Sequence, residues 1–168
     1  KAAMEDEVRR YAKEGLPVVI VNPSTPIGAF DAKPTPTGKI ILDFLRGKIP
    51  AYIDTGLNIA DVEDVAEGHW LASQKGKVGE RYILGNQNMP LKEIYERVAK
   101  LSGKSSPRLC IPYPVAYLTA LASEWVSRWS QKRPKISLAA VKMARQYMYF
   151  DSAKALRDLG LPQSPIGK

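Results

Sequence analysis

Five consecutive residues, Pro17-Val18-Val19-Ile20-Val21, are apolar, and they run straight into Asn22-Pro23-Ser24-Thr25-Pro26-Ile27-Gly28. Such a β-branched run reads as a strand buried on both faces, the state of a strand inside a parallel sheet with helices outside. The prolines that follow fix the backbone where the strand ends. Ligands of α/β sheets bind at the carboxyl ends of strands. On these residues alone two readings stay open, a rigid turn without a ligand and a loop that presents polar groups to one.

The flanking segments alternate in type. Ala2 to Glu14 carries Met4, Val8 and Tyr11 at helical spacing, and Gly15 suits the C-terminal cap. Residues 22–36 are proline-rich and loop-like. Residues 38–46 predict a helix and 57–60 a short strand. Residues 61–73 predict a helix whose first turn holds Asp61, Glu63 and Asp64, where the helix dipole favours acids. Val62, Val65, Ala66 and His69 are expected to line its inner side. Residues 81–85 predict a second strand, and Pro90 opens a helix to about Leu101 with Leu91, Ile94, Tyr95 and Val98 as its stripe. Beyond a polar linker, Val115, Leu118, Ala122, Trp125 and Trp129 form a strong amphipathic pattern. Residues 137–146 and 152–159 are further helix candidates.

This order is that of an α/β fold, yet only two or three strands are visible, too few for a free-standing doubly wound sheet. The helical remainder is expected to form a small lobe over the strand ends. The division falls at the linker, with 1–107 as the sheet-bearing part and 108–168 as a mostly helical, basic lobe.

With 168 residues the chain can bury one core, and its 45% hydrophobic and 25% charged residues are ordinary for a globular protein. Cys110 is the single cysteine, so an internal disulfide is excluded and a reducing compartment such as the cytoplasm is expected. Cys110 itself reads as a buried small hydrophobe. No run is long and apolar enough for a spanning helix. No cysteine or histidine cluster suits a metal, and His69, the one histidine, reads as a packed or hydrogen-bonded side chain.

The net charge of +8 lies wholly in residues 101–168, which hold eleven Lys/Arg against three Asp/Glu. There, Tyr113, Tyr117, Trp125 and Trp129 interleave with Arg108, Arg128, Lys132, Arg133 and Lys135. One reading is a helix packing its aromatic stripe on the domain with solvated cations outside. A second is attraction to a phosphorylated or nucleotide-linked substrate. A third is peripheral docking on an anionic membrane, at its inner face. No recognition motif accompanies the charge, so no nucleic-acid partner is expected.

Five segments in order carry a resemblance. They are Lys1-Ala2-Ala3-Met4-Glu5 with its helix; Val19 through Gly28; Asn58 through His69; Arg81-Tyr82-Ile83-Leu84-Gly85; and Phe150 through Ala155 followed by Leu159-Gly160. Together they resemble the C-terminal part of an extended short-chain dehydrogenase/reductase, with the closest likeness to hopanoid-associated sugar epimerases and the dihydroflavonol-reductase-like group. The resemblance implies a Rossmann-like sheet with a helical substrate lobe. It also implies an NAD- or NADP-dependent epimerase or reductase acting on a sugar, nucleotide-sugar or lipid-linked hydroxyl/carbonyl compound. In that family a Tyr-x-x-x-Lys pair does the acid/base work. Lys1 aligns with the lysine, which holds the nicotinamide ribose and lowers the tyrosine pKa, since a cation favours phenolate. The loop after the strand carries cofactor contacts onto Pro23, Ser24, Thr25, Asn22 and Pro26, with Asn22 alternatively facing substrate. Asp61 stands where family members often have histidine, so that histidine's role has no bearer here and the acidic turn reads as a helix cap.

The family's Gly-rich dinucleotide loop and its tyrosine precede the lysine. The resemblance therefore implies about half an enzyme, inactive alone, whose partner is the N-terminal half of the same enzyme. It also implies a homodimer through helices including 2–14. The rival reading is a non-catalytic scaffold or binding protein, at the membrane surface or elsewhere, that keeps the fold without the chemistry.

Overall fold

A computed structural model describes residues 2–29, 31, 35–130 and 137–166. The chain opens with helix α1 (Ala2–Lys13), followed by two short strands, β1 (Ile20–Pro23) and β2 (Thr25–Ile27). Helix α2 (Pro36–Leu45) leads to β3 (Ala51–Ile53) and β4 (Gly56–Asp61), and α3 (Val62–Lys75) to β5 (Arg81–Leu84) and β6 (Gln87–Pro90). Then come α4 (Leu91–Ser102), β7 (Leu109–Ile111), α5 (Tyr113–Ser130), α6 (Leu138–Met143) and α7 (Ala153–Leu159).

The strands form three small groups. β1 pairs with β5 in parallel; β4 lies between β2 (parallel) and β6 (antiparallel); β3 pairs with β7 in parallel. The α/β class is therefore as expected, with helices over parallel strands. β2, β3, β6 and β7 leave no strand signal in the sequence. Each has only three or four residues, too few for a period-2 pattern to show.

The first strand differs from its expectation. It begins at Ile20, three residues later than the apolar run; Ile20, Val21 and Asn22 are half-buried and Pro23 is exposed. Among the described residues β1 has a partner strand on one edge only. Val19 and Val21 pack on the core formed by Tyr82, Leu84, Val65, Leu71 and Ala72.

Helix α3 buries Asp64, Val65, Gly68, Leu71 and Ala72. Val62, Ala66 and His69, expected inside, are exposed. The helix is rotated so that Gly68 meets the sheet: a Cβ there would stand 2.7 Å from a Leu161 methyl and 2.9 Å from one of Leu84. The His69 ring donates from Nδ1 to the Val65 carbonyl at 2.7 Å, so it is satisfied within its own helix. Cys110 is likewise exposed rather than buried, as is its neighbour Leu109 in β7.

The largest inversion is in α5. Ala116 and Ala120 are its buried residues, packing with Val141 of α6 and with Ile53 and Ile111 of β3 and β7. Val115, Leu118, Trp125 and Trp129, the stripe that one of the three readings packed on the domain, face outward. The close approach of α6 selects small residues, so alanines face inward and the bulky stripe is excluded. This lobe of α5, α6, β3 and β7 does not include α7. Ala155 and Leu159 of α7 join the core of β5 and α3.

Candidate functional site

The chain leaves one sheet and enters another across a single residue, Ser24. β1 ends at Pro23 beside β5, and β2 starts at Thr25 beside β4. The Ser24 amide donates to the Leu84 carbonyl at 2.9 Å, extending the β1–β5 ladder by one bond. Its hydroxyl oxygen is buried and has no hydrogen-bond partner. A point where neighbouring strands part, at their carboxyl ends, is where open α/β sheets receive ligands. A buried, unsatisfied hydroxyl there costs stability and is the kind of group that a ligand's polar atom satisfies.

Asn22, two residues earlier, does not stand free. Its side-chain amide donates to Glu5 Oε1 at 3.3 Å, and the other Glu5 oxygen pairs with Arg81 Nη1 at 3.1 Å. The amide bond is the first cause holding the Glu5 carboxyl below its ordinary value; the adjoining Arg81 guanidinium adds to it. The opposite end of α1 lies near the start of β5, where a Cβ on Gly79 would be 3.5 Å from Ala12 Cβ. The helix therefore runs antiparallel to β1 and β5, and its first turn stands toward their carboxyl ends. Lys1, the proposed catalytic and ribose-holding residue, lies outside the described residues. It is four residues before Glu5 in sequence. Thr25 is buried, Pro26 half-buried and Pro23 exposed.

Beyond the end of β5, Gly85 makes room for a neighbour. A Cβ there would fall 2.2 Å from Asn58 Oδ1 and 2.9 Å from Ser152 Oγ. Asn58 is fully buried in β4. Its amide donates to Asn88 Oδ1 at 2.7 Å and to the Phe150 carbonyl at 3.2 Å, and its oxygen accepts from the Asn86 amide at 3.1 Å. This hub ties the end of β5 to β4, β6 and the 148–150 segment. It was not singled out as a site from sequence; the signal was one amide inside an otherwise apolar strand.

Phe150 leads into an open cleft of about 830 Å³ lined by Tyr113, Tyr117, Lys142, Arg145 and Tyr147. Tyr113 and Tyr117 stack at 6.0 Å, and the Arg145 guanidinium lies 6.0 Å from the Tyr113 ring. The Tyr147 hydroxyl donates to Asp54 at 2.6 Å, which pushes that phenol up to about 12. Flat rings with two cations suit a ligand with a planar or sugar ring and an anionic group.

The acidic turn of α3 divides its work. Asp61 caps the helix, its side chain accepting from the Glu63 amide at 2.8 Å. Asp64 is buried and accepts from the Ser164 amide at 2.6 Å and hydroxyl at 2.8 Å. It thus ties down the segment after α7 in addition to serving the helix dipole. Among the described residues no group of three or more His, Cys, Asp or Glu converges on a metal-sized site.

Comparison with known proteins adds four findings. Residues 1–85 match the family model described as NAD dependent epimerase/dehydratase family. A Synechocystis sp. protein, provisionally assigned as a dihydroflavonol 4-reductase, is 47% identical over 166 residues, 96% of this chain and 48% of that protein. Sterol demethylase protein B of Methylococcus capsulatus is 31% identical, over 96% of this chain and 50% of that protein. The solved structure of a nucleoside-diphosphate-sugar epimerase from Pseudomonas aeruginosa matches with a TM-score of 0.74 and 27% identity, over 98% of this chain and 49% of that one. The chain therefore spans about half the length of the curated relatives it matches. The family's dependence on NAD agrees with the expected NAD or NADP cofactor, and the orphaned Ser24 hydroxyl at the strand ends fits such a group. The chain belongs to the NAD dependent epimerase/dehydratase family.

Proposed function

We propose that these residues form the substrate-facing half of an NAD(P)-dependent epimerase or reductase for a sugar or other hydroxyl/carbonyl compound. The observation that carries the reading is Ser24, a buried hydroxyl without a partner at the point where the chain changes sheets. The cofactor supplies a site that takes or gives hydride. Ser24 and Thr25 hold its carboxamide end, with Pro23 and Pro26 fixing the loop. Asn22, bonded to Glu5, sets the height of α1 against β1. Lys1, four residues before Glu5 in sequence, holds the nicotinamide ribose and lends positive charge to a tyrosine four residues before it, favouring the phenolate that moves the proton.

In this reading residues 1–107 carry the cofactor end and residues 108–168 the substrate end, with α7 packed back on the first part. The unpaired edge of β1 receives a strand from the portion of the fold that the relatives have and these 168 residues do not cover. Met4, 73% exposed on α1, lies on the helix we assign to a homodimer contact. The cleft of Tyr113, Tyr117, Lys142 and Arg145 takes the substrate. Relatives named for nucleotide-sugar and for sterol chemistry support a sugar-nucleotide or a lipid-linked compound as its ligand class.

The test is NAD(P) binding and turnover by the protein expressed from its natural gene, with Lys1→Ala as the comparison. The expected result is a loss of kcat/KM on the order of a hundredfold, the lower end for a group assisting proton transfer. Unchanged turnover in Lys1→Ala overturns the assignment of Lys1, and absence of NAD(P) binding by the parent protein favours the non-catalytic scaffold.

A further inference from the structure

Helix α5 is built with its apolar side outward. Val115, Leu118, Trp125, Val126 and Trp129 fall on one side of the helix at about 100° per residue, and all are more than half exposed; Trp129 reaches 82%. The opposite side carries Ala116 and Ala120 into the lobe. The outward stripe holds no charged residue among these positions, and its two indoles lean on each other with centroids 6.2 Å apart. A stripe of this size left in water is a docking surface by the ordinary behaviour of proteins.

We infer that α5 lies flat on an anionic lipid bilayer, with this stripe in the headgroup–acyl boundary. Three observations select the membrane. Charge is complementary, because the whole +8 excess of the chain belongs to residues 101–168, and Lys104 and Arg108 are exposed there. Such cations are drawn to anionic headgroups. The bulkiest exposed residues are tryptophans, whose amphipathic rings settle at membrane–water interfaces. The helix has 18 residues, yet no described helix is long and apolar enough to cross a bilayer. A helix with one apolar side lies in the interface plane. The inference stands independently of the proposed chemistry, since it uses none of the residues assigned to cofactor or proton transfer. If both hold, the lobe that receives the substrate sits at the lipid surface, where a lipid-linked substrate is held.

The test is vesicle flotation of the protein from its natural gene. One set of vesicles is phosphatidylcholine alone and the other is phosphatidylcholine mixed with phosphatidylglycerol. Co-flotation is expected with the anionic vesicles, weakening as salt is raised. A Trp125→Ser/Trp129→Ser double variant should reduce partitioning by about tenfold or more, since each indole withdrawn from the interface removes a large apolar area. Both side chains are exposed, so folding should survive, and retained NAD(P) binding or an unchanged melting temperature confirms that it has. Failure of the parent protein to float with anionic vesicles overturns the inference. So does a double variant that floats unchanged but sediments as a smaller species, because α5 is then an interface between copies of the chain.

Discussion

The Glu5 carboxylate accepts a hydrogen bond from the Asn22 side-chain amide at 3.3 Å, joining the first turn of α1 to the third residue of β1. Arg81 grips the other carboxylate oxygen from β5. One acid therefore sets how α1 is placed over both strands. In the natural protein Glu5→Ala should lower kcat/KM while barely moving the melting temperature, since ion pairs open to water contribute little to stability. The Asn22 bond and the Arg81 charge keep this carboxyl ionised below its usual range. A depressed acid contributes above its unfolded pKa and is lost as pH falls through the folded one. Activity of the parent, but not of Glu5→Ala, should therefore fall in that acid window; identical acid limbs in the two pH–rate profiles would sink the idea.

Ser24 offers a cleaner separation of binding from folding. Its hydroxyl has no partner to lose, so Ser24→Ala should leave unfolding free energy unchanged or raise it by up to about 1 kcal/mol. The same change should weaken NAD(P) binding roughly three- to tenfold, the worth of one neutral hydrogen bond. Calorimetric titration and denaturant unfolding measure the two quantities. Stability that drops while affinity holds would mean a structural hydroxyl.

Asn58 is expected to matter for folding. Replacing it by alanine strands the Asn86 amide and empties the space between β5 and the 148–150 segment. A loss of about 2–4 kcal/mol should follow, from orphaned polar groups and a cavity together. Gly85→Ala should be comparably harmful, because the new methyl group meets Asn58 and Ser152. Urea unfolding of both variants checks this.

Asp64 and Glu63 are neighbours in sequence with opposite expectations. Asp64→Ala unties Ser164 from α3 and should cost about 1–3 kcal/mol. Glu63→Ala, at an exposed position, should stay within about 0.5 kcal/mol. Proteolysis near residue 164 should quicken only in the first variant.

Two tyrosines should resist ionisation. Burial raises Tyr95, with the Asp43 charge adding, and the Asp54 bond raises Tyr147, each to about 12 from an ordinary 10.0. A phenol raised in the folded state stabilises fully below its unfolded value, and that contribution disappears as pH climbs from about 10 toward 12. Ultraviolet titration should show two late phenols, and Tyr147→Phe or Asp54→Asn should remove one of them. A single late phenol in the parent would contradict the assignment.

The strand and its proline-bearing exit in residues 17–28 were legible, because β-branched runs and prolines act locally on the backbone. The family resemblance from five short segments led to the family that the comparisons show. The orientation of α5 was not legible. Helical spacing reports that Val115, Trp125 and Trp129 share a side, but whether that side turns inward depends on what α6 offers, and Val141 offers room only for alanines. His69 failed for a related reason: its period fits an inner face, yet Gly68 is what the Leu84 and Leu161 side chains can accommodate. The hub at Asn58 needed the fold, since Asn86, Asn88 and Phe150 meet it only once β4, β6 and the 148–150 segment are assembled.

One residue of spacer between β1 and β2 leaves no slack. An added residue would turn every following side chain of β2 to the opposite face, and a deletion would pull the β4 group out of step with β5. The two groups of strands are thus geared together at Ser24, and natural variation in this stretch should take the form of exchanges of side chain, never of changes in chain length.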